Sequence, residues 1–224
     1  MKKVSQLFSE DDRKRIADAI EEAEQKTSAE IVTVVTTASG RYDRAEDIVG
    51  FLAALLAVAT GWLICPAFHS ESVWESGPSV SGLIPVLGSM VVGFVAGSAL
   101  ASRLPVLRLP FIPKKELEEE VRRAAREAFM TSRIRNTAGG TGILIFVSFY
   151  EHRVIVLPDD AILEKLPEQD WGMLCAEIVS GLKVERASEA LEAAVASCGE
   201  ILGGVLPRQN KDEDELSNEL ILID

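Results

Sequence analysis

Two adjacent carboxylates, Asp159 and Asp160, are the residues of this sequence whose types and spacing best suit chemistry. They follow a predicted strand that ends at Leu157–Pro158, and oxygen ligands at a strand end suit a hard cation such as Ca²⁺ or Mg²⁺. In the alternative interpretation, one carboxylate caps a short helix that begins at Ala161 and binds no metal. The residue types favour capping, and the cation site stays open as the alternative.

The other residues with chemical potential form no complete constellation. The turn at Gly139, Gly140 and Gly142 leads into a strand, whereas a phosphate-binding loop follows a strand and opens a helix, so we expect a tight turn. Two histidines, His69 and His152, cannot build a zinc site or a Ser/His/Asp triad from separate parts of the chain. The cysteines lack metal-ligand spacing and are interpreted as packing residues in a reducing compartment: Cys65, Cys175 and Cys198.

The elements that must position these side chains predict one α/β domain. An amphipathic helix capped by Ser9 precedes a β-branched segment that is too apolar for an edge strand. In chain order we expect a helix from Ser9 to near Lys26, a strand at Glu30–Thr36, a helix at Lys114–Met130, antiparallel strands at Ile143–Val147 and Arg153–Leu157, and helices from Glu168 and Ala187. This order predicts an α/β/α sandwich whose mixed sheet is covered on both faces.

A long apolar insert interrupts this domain between its first strand and its second helix. Ile48–Phe68 and Ser79–Ser102 each hold about the twenty apolar residues that a helix needs to cross a bilayer, and the polar link His69–Pro78 joins them. We predict a transmembrane helical hairpin, because the helices of a soluble core hairpin would carry a polar stripe. Basic residues flank the outer ends of the arms whereas the link carries Glu71 and Glu75, which predicts that both termini lie in the cytoplasm.

Small residues recur at every fourth position in both arms. They are Ala53, Ala57 and Gly61 in the first arm and Ser89, Gly93, Gly97 and Ala101 in the second. In lipid, such residues let helices pack closely, because packing rather than hydrophobic burial drives association there. Two outcomes stay open: the arms pair with each other, or they pair with another membrane protein, which includes a homodimer through the hairpin. Neither arm holds Asp, Glu, Lys, Arg or His, which argues against an ion pathway.

Composition separates the insert from the rest of the chain. The 224 residues are 47% hydrophobic and yet carry a formal net charge of −12. An acidic surface argues against nucleic acid as a partner, because phosphate binding requires a basic face. Membrane lipid is the expected partner of the insert. We predict a discontinuous α/β domain at 1–47 and 104–207, the hairpin at 48–103, and an acidic C-terminal tail at 208–224 whose apolar end docks back or engages a partner.

Several stretches outside the insert resemble the TPM domain family. They are Phe8–Asp12 with Thr27–Val32, Ala125–Phe129, Thr141–Ser148, Asp159–Ile162 before Trp171, and Asp214–Asn218. The sequence is most similar to the bacterial membrane members in which a hydrophobic hairpin interrupts the domain. The resemblance covers nearly the whole chain outside the insert. It implies a sheet sandwiched by helices and a place in the bacterial inner membrane.

For function, the resemblance implies two alternatives. Some members look like acid phosphatases or bind divalent cations through acidic loop residues, whereas others assist the turnover of membrane complexes or modulate receptors. Asp159 and Asp160 match the family's strand-end acidic motif, although Ala161 replaces the usual glycine and removes backbone freedom. Those members are mostly exported, and the charged start of this sequence predicts no signal peptide. We expect a membrane-anchored binding or regulatory module acting on a membrane partner, with a divalent-cation-dependent phosphatase as the alternative.

Overall fold

The computed structural model describes residues 3–64, 80–137, 139–166, 171–183, 186–208 and 215–224. These residues form two compact units. The hairpin unit spans Arg41–Lys114, and the α/β unit combines the flanking parts of the chain, up to Gly40 and from Lys115 onward. The predicted polar link and Cys65 lie outside the described residues, as does most of the acidic part of the tail.

The helices and strands follow the predicted order, with additions near both ends of the chain. They are α1 (Val4–Leu7), α2 (Glu10–Glu24), β1 (Glu30–Thr36), α3 (Asp43–Ile64), α4 (Val80–Arg103), α5 (Lys114–Thr131), β2 (Gly142–Ser148), β3 (Arg153–Pro158), α6 (Asp160–Leu163), α7 (Trp171–Lys183), α8 (Ala187–Val205) and β4 (Ile221–Ile223). Short 3-10 turns lie at Pro105–Leu107, Leu109–Phe111 and Ile134–Asn136. The sequence patterns described above do not predict α1 or β4.

The four strands form one mixed sheet in the order β3-β2-β1-β4. β1 lies inside the sheet and runs parallel to β2 and β4, whereas β2 and β3 are antiparallel. In this register Val32 lies opposite Leu144, and Ile145 lies opposite Val156. The predicted interior position of the first strand and the predicted antiparallel pair are confirmed.

The apolar end of the tail docks back onto the sheet as the strand β4. Its three residues pair with Val34–Thr36 of β1. The carboxylate of Asp224, the next residue, accepts hydrogen bonds from the backbone N–H of Ser5 at 3.1 Å and from the Ser5 hydroxyl at 2.7 Å. Docking within the chain is therefore the outcome observed for the tail. A strand of three residues is too short to show the alternation by which strands are predicted.

Helices cover both faces of the sheet. On one face, alternate residues of β1 and β2 pack with α2, α7 and α8: Ile31, Val35, Ile143, Ile145 and Val147. On the other face, the intervening residues pack with α5: Val32, Val34, Leu144 and Phe146. Strands buried on both faces must be apolar at successive positions, which explains the continuous apolar runs of β1 and β2. The predicted α/β/α sandwich is confirmed.

The start of α2 is fixed by a reciprocal capping box. The backbone N–H of Asp12 donates to the Ser9 hydroxyl at 3.1 Å, and the Asp12 carboxylate accepts from the backbone N–H of Ser9 at 2.9 Å. The Ser9 hydroxyl also donates to the same carboxylate at 2.6 Å. These hydrogen bonds, with smaller contributions from Ser188 and Arg15, lower the pKa of Asp12 from 3.8 to about 2, although partial burial opposes the shift.

We expect Asp12→Asn to destabilise the α/β unit in a pH-dependent manner. At pH 7 the free energy of unfolding should fall by about 1 kcal/mol, the typical value of such a cap. The folded-state pKa is depressed, so the carboxylate contributes its full stabilisation above about pH 4 and loses it as the pH falls toward about 2. The difference between the native protein and the variant should therefore shrink over that range.

Urea unfolding followed by circular dichroism, at neutral pH and at the acid end of the range, measures this difference. Asp11→Asn is the matched control, because it removes the same charge from the same helical turn while Asp11 is exposed and takes no part in the capping box. If Asp12→Asn lowered the free energy of unfolding by the same amount at both pH values, the ionised Asp12 carboxylate could not be the source of the stabilisation.

The hairpin unit contains two helices that are long and apolar enough to span a membrane. α3 has 22 residues and begins at Asp43, earlier than predicted, and α4 has 24 residues with Pro85 inside it. The mostly polar segment Asp43–Asp47 belongs to the same helix as the predicted arm, because a helix can continue beyond its apolar part. In the most apolar stretch of 18 residues in each helix, only 11% is buried within the protein.

Candidate functional site

The two predicted carboxylates occupy different environments. Asp159 is buried and Asp160 is exposed. The backbone N–H of Asp159 donates to the carbonyl of Gly142 at 2.8 Å, which fixes the end of β3 against the start of β2. The Asp159 side chain accepts from the backbone N–H of Asp160 at 2.9 Å and so caps α6. The structure therefore places Asp159 in the capping role that the sequence left open.

Arg135 faces both carboxylates. Its Nε lies 3.9 Å from Oδ1 of Asp159, and its Nη2 lies 3.5 Å from Oδ2 of Asp160. These residues line a surface cavity of about 240 Å³ together with Arg126 and Phe129. A cation at the pair would have to compete with the Arg135 guanidinium for the same oxygens. In the part of the chain that the structure describes, no group of three or more His, Cys, Asp or Glu side chains is placed to hold a metal.

A second polar site, which the sequence analysis missed, is centred on the buried carboxylate of Glu151. Its Oε1 accepts from the backbone N–H of Ser39 at 2.9 Å and of Gly40 at 3.3 Å. Its Oε2 accepts a hydrogen bond from the Ser148 hydroxyl, which also lies 2.8 Å from the Ser39 hydroxyl. A buried carboxylate is tolerated when it is hydrogen-bonded in this way. The site fixes residues 39 and 40, where the chain leaves the α/β unit.

The Glu151 site lies at the carboxyl ends of β1 and β2, where ligands commonly bind in α/β sheets. Beside it, Ser39 lines a cavity of about 490 Å³ between α5 and β4. Thr36 and Thr131 contribute hydroxyls to the same cavity, and Phe146 and Ile223 contribute apolar surface. A prediction that β1 and β2 are parallel neighbours could have located this site, because the carboxyl ends of the two strands then lie side by side. No sequence pattern indicated that β1 and β2 are neighbours.

The tail is held by the carboxylate of Glu30 at the start of β1. Glu30 is buried, its Oε1 accepts from the backbone N–H of Glu215 at 3.4 Å, and its Oε2 accepts from that of Leu216 at 3.2 Å. The Leu216 side chain packs against the apolar cluster on the α5 face of the sheet. A charged side chain thus positions the chain several residues before β4.

We expect Glu30→Ala to loosen the tail. Two backbone N–H groups lose their acceptor, which should lower the local protection of residues 215–223 by about 1–3 kcal/mol. Hydrogen exchange of the full chain, read by mass spectrometry, measures this change. Glu219→Ala is the control, because it truncates an exposed glutamate of the tail itself. Unchanged exchange of residues 215–223 in Glu30→Ala would contradict the anchoring role.

The cysteines described by the structure are packing residues. Cys198 is fully buried, and desolvation raises the pKa of its thiol to about 12. Burial also raises the pKa of Cys175. Both thiols are therefore protonated at neutral pH and are poor nucleophiles.

The small residues of the hairpin unit meet between its two helices. A Cβ at Gly93 would lie 2.7 Å from the Ala57 Cβ and 2.9 Å from the Ala53 carbonyl oxygen, and one at Gly97 would lie 3.1 Å from the Val49 carbonyl oxygen. The arms therefore pair with each other through four of the predicted residues. Of the others, Ala101 is buried, and Gly61 and Ser89 are half-buried. Two contributors were missed, Gly50 and Ala54, which are both buried.

Polar contacts connect the two helices of the hairpin unit at the end where α3 begins and α4 ends. Glu46 accepts a hydrogen bond from the Ser102 hydroxyl at 3.0 Å and forms an ion pair with Arg108. Arg108 also donates to the carbonyl of Arg41 at 3.4 Å. These contacts join the start of α3 to the end of α4 and to the turn that follows it.

Comparison with known proteins locates the fold and nothing finer. No family model matches the chain, and no curated protein matches it. The chain is similar to the NMR structure of the BA42 protein from the psychrophilic bacterium Bizionia argentinensis, with a TM-score of 0.56 over 96% of this chain and 94% of that one. The two sequences are 17% identical, so the likeness shows a shared fold alone.

Proposed function

We propose that this chain is a membrane-anchored TPM-domain protein whose α/β unit binds or regulates a partner in the same membrane. The observation that carries the anchoring is the exposed apolar surface of α3 and α4. Leu63 and Ile64 are 79% and 80% exposed, and Val92 is 69% exposed. Contiguous apolar surface of this extent is rare on proteins in water and is the expected surface of helices in lipid.

The flanking charges support a place in a bacterial inner membrane with both termini in the cytoplasm. Arg41 and Arg44 lie just before and within the first turn of α3, and Arg103 and Arg108 lie at and just after the end of α4. Basic residues at these positions favour the cytoplasmic side of a membrane.

A regulatory or binding role is supported by the covalent connection of the two units. The hairpin unit is inserted in the chain between Gly40 and Lys115, so two peptide linkages join it to the α/β unit. Two linkages restrict the α/β unit more than one terminal anchor would. Such a restriction favours encounters with a partner in the same membrane over capture of a diffusing substrate.

Membrane anchoring is tested by alkaline carbonate extraction of cells that express the full chain. We expect the native protein to remain with the membranes and Leu56→Asp/Val92→Asp to be released, because each charge in a helix centre opposes insertion by about 2.5–3.5 kcal/mol. Leu56→Ala/Val92→Ala is the matched control and should remain. Release of the native protein would overturn the anchoring.

The orientation is tested with a reporter fused after Asp224 that is active only outside the cytoplasm. If both termini lie in the cytoplasm, this reporter stays silent.

The alternative function is a divalent-cation-dependent phosphatase at Asp159 and Asp160. The observation in its favour is the exposed Asp160 carboxylate at the rim of a cavity that also holds two arginines. Hydrolysis of a small phosphate ester, with and without Mg²⁺ or Ca²⁺, tests this alternative on the full chain. Cation-dependent turnover that falls in Asp160→Asn and persists in the neighbouring control Glu164→Gln would replace the binding role with the enzymatic one.

A further inference from the structure

The segment that follows α4 exposes its apolar side chains and turns its central charge inward. This proline segment, residues 104–113, contains the two 3-10 turns Pro105–Leu107 and Leu109–Phe111. Val106 is 74% exposed, whereas the side chain of Arg108 is only 14% exposed and pairs with Glu46. The other large apolar side chains with at least a third of their surface exposed are Leu104, Leu107, Leu109 and Phe111. A surface in contact with water has the opposite arrangement.

Most backbone N–H groups of the proline segment are hydrogen-bonded within the chain, so the segment needs little water to satisfy them. Five of its N–H groups donate to backbone carbonyls: those of Leu104, Leu107, Arg108, Phe111 and Ile112. Its prolines, at positions 105, 110 and 113, have no N–H to satisfy. Irregular backbone is costly near lipid mainly because of unsatisfied polar groups, and the 3-10 turns remove much of that cost.

Charge and position indicate what covers this surface. The segment begins directly after Arg103, the last residue of α4, so in a hairpin that spans a bilayer it starts at the level of the headgroups. Arg103 and Lys114 are exposed on either side of it, and no acidic residue lies between them in the sequence. In a chain with a net charge of −12 this is a local excess of positive charge. Anionic headgroups attract such clusters when apolar side chains lie beside them.

We infer that the proline segment lies in the headgroup region of the membrane and binds anionic phospholipid through Arg103 and Lys114. Its exposed leucines, Val106 and Phe111 enter the boundary with the acyl chains. Arg108 forms an ion pair with Glu46 and so connects the proline segment to the start of α3. This inference rests on the proposed membrane anchoring and adds to it a lipid class and a binding segment.

The test places an environment-sensitive fluorophore on single cysteines in the full chain. The background carries Cys65→Ser and Cys175→Ser and keeps the fully buried Cys198. Probes are attached in Val106→Cys, in Leu63→Cys as the reporter of the hairpin, and in Glu22→Cys as the reporter of an exposed position on α2. The proteins are reconstituted in vesicles of roughly three parts phosphatidylcholine to one part phosphatidylglycerol, a composition with a negative surface. Nitroxide-labelled lipid quenches probes that lie in the bilayer.

We expect the probes at 63 and 106 to be quenched and the probe at 22 to be unaffected. Quenching at 63 without quenching at 106 would overturn the inference and leave the anchoring intact. Failure of quenching at both positions would overturn the anchoring and the inference together. Equal quenching at 22 and 106 would also overturn the assignment to the proline segment.

The lipid class is tested by placing the nitroxide on either phospholipid at the same mole fraction. We expect the probe at 106 to be quenched about twofold more by labelled phosphatidylglycerol than by labelled phosphatidylcholine, because clustered cations enrich anionic lipid around them. Replacing the two exposed cations by glutamine should abolish the difference: Arg103→Gln/Lys114→Gln. The matched control removes two exposed arginines from α5 and should retain it: Arg122→Gln/Arg126→Gln. Equal quenching by both lipids in the unsubstituted protein would overturn the anionic preference.

Discussion

Gly93→Leu is expected to force apart the two helices of the hairpin unit, whereas Gly88→Leu in the same helix leaves them in place. A Cβ at Gly93 would already lie 2.8 Å from the Cα of Ala54 and 2.9 Å from the carbonyl oxygen of Ala53. These contacts are with backbone atoms, which cannot move away as a flexible side chain can. Leucine therefore fits only if α3 and α4 separate or rotate.

The expected separation is about 2 Å, since the distance between packed helices varies by that amount with the size of the side chains at the contact. The associated loss of stability is about 1–3 kcal/mol, the usual cost of an overpacked contact. In lipid this loss has no hydrophobic compensation, because the exposed helix faces are as well solvated by acyl chains as by each other.

Pulsed electron spin resonance between labels at Ile48 on α3 and Leu100 on α4 measures the separation in the full chain. Both positions are exposed, so the labels do not disturb the contact. Gly88→Leu is the matched control, because a Cβ there meets nothing within 4 Å. An unchanged distance distribution in Gly93→Leu would show that the small residues do not set the spacing of the helices.

The same contact shows how far the sequence predicts the hairpin. The four-residue spacing located Ala53, Ala57, Gly93 and Gly97, because a repeat of that kind marks one face of a helix. It did not locate Gly50 and Ala54, which lie on a neighbouring column of α3. Which column of α3 faces α4 depends on how the helices cross, and a repeat within one helix carries no information about that angle.

In the α/β unit, the sequence predicts which residues form helices and strands better than it predicts which of these lie next to each other. Continuous apolar runs identified β1 and β2, and Ser9 identified the start of α2, because these signals are local. The site at Glu151 was missed because a glutamate in a turn between strands resembles a solvated residue. Its burial depends on Ser39 and Gly40, which lie far away in the sequence. β4 was missed for the same reason, since its pairing with β1 joins positions nearly the length of the chain apart.

The candidate carboxylates illustrate a different limit. The adjacency of Asp159 and Asp160 is consistent with both a helix cap and a cation site, since both roles use carboxylate oxygens at a strand end. The structure shows the cap directly through the hydrogen bond to the backbone of Asp160. It also brings Arg135 to the pair, which no local pattern indicated. A side chain that is distant in the sequence therefore sets the electrostatic surroundings of both carboxylates.

Gly199→Leu is expected to destabilise the α/β unit more than Asp12→Asn does. Gly199 is buried on α8, where a Cβ would lie 2.6 Å from the Cβ of Ala23 and 2.8 Å from its Cα. α2 cannot yield easily, because Ile16 and Ile20 on the same helix are fully buried in the core. Leucine at this position must therefore push α2 away from α8 and open the core on that face of the sheet.

Two opposing terms set the size of the effect. Leucine is a better helix former than glycine by about 1 kcal/mol, which stabilises the variant. Overpacking against a helix backbone costs about 1–3 kcal/mol or more, and the loosened contacts of buried isoleucines add to that cost. We expect the steric term to exceed the propensity term, with a net loss of about 2–3 kcal/mol.

Gly204→Leu separates these terms, because Gly204 lies on the same helix and a Cβ there meets nothing within 4 Å. It should keep the gain in helix propensity without the steric cost and leave the unit as stable as the native protein or slightly more stable. Urea unfolding of the full chain, with hydrogen exchange of α2 and α8 as a second readout, compares the two variants. If both variants shifted stability equally, the close approach of α2 to α8 could not be what requires glycine at 199, because of these two positions only 199 lies within contact distance of another backbone.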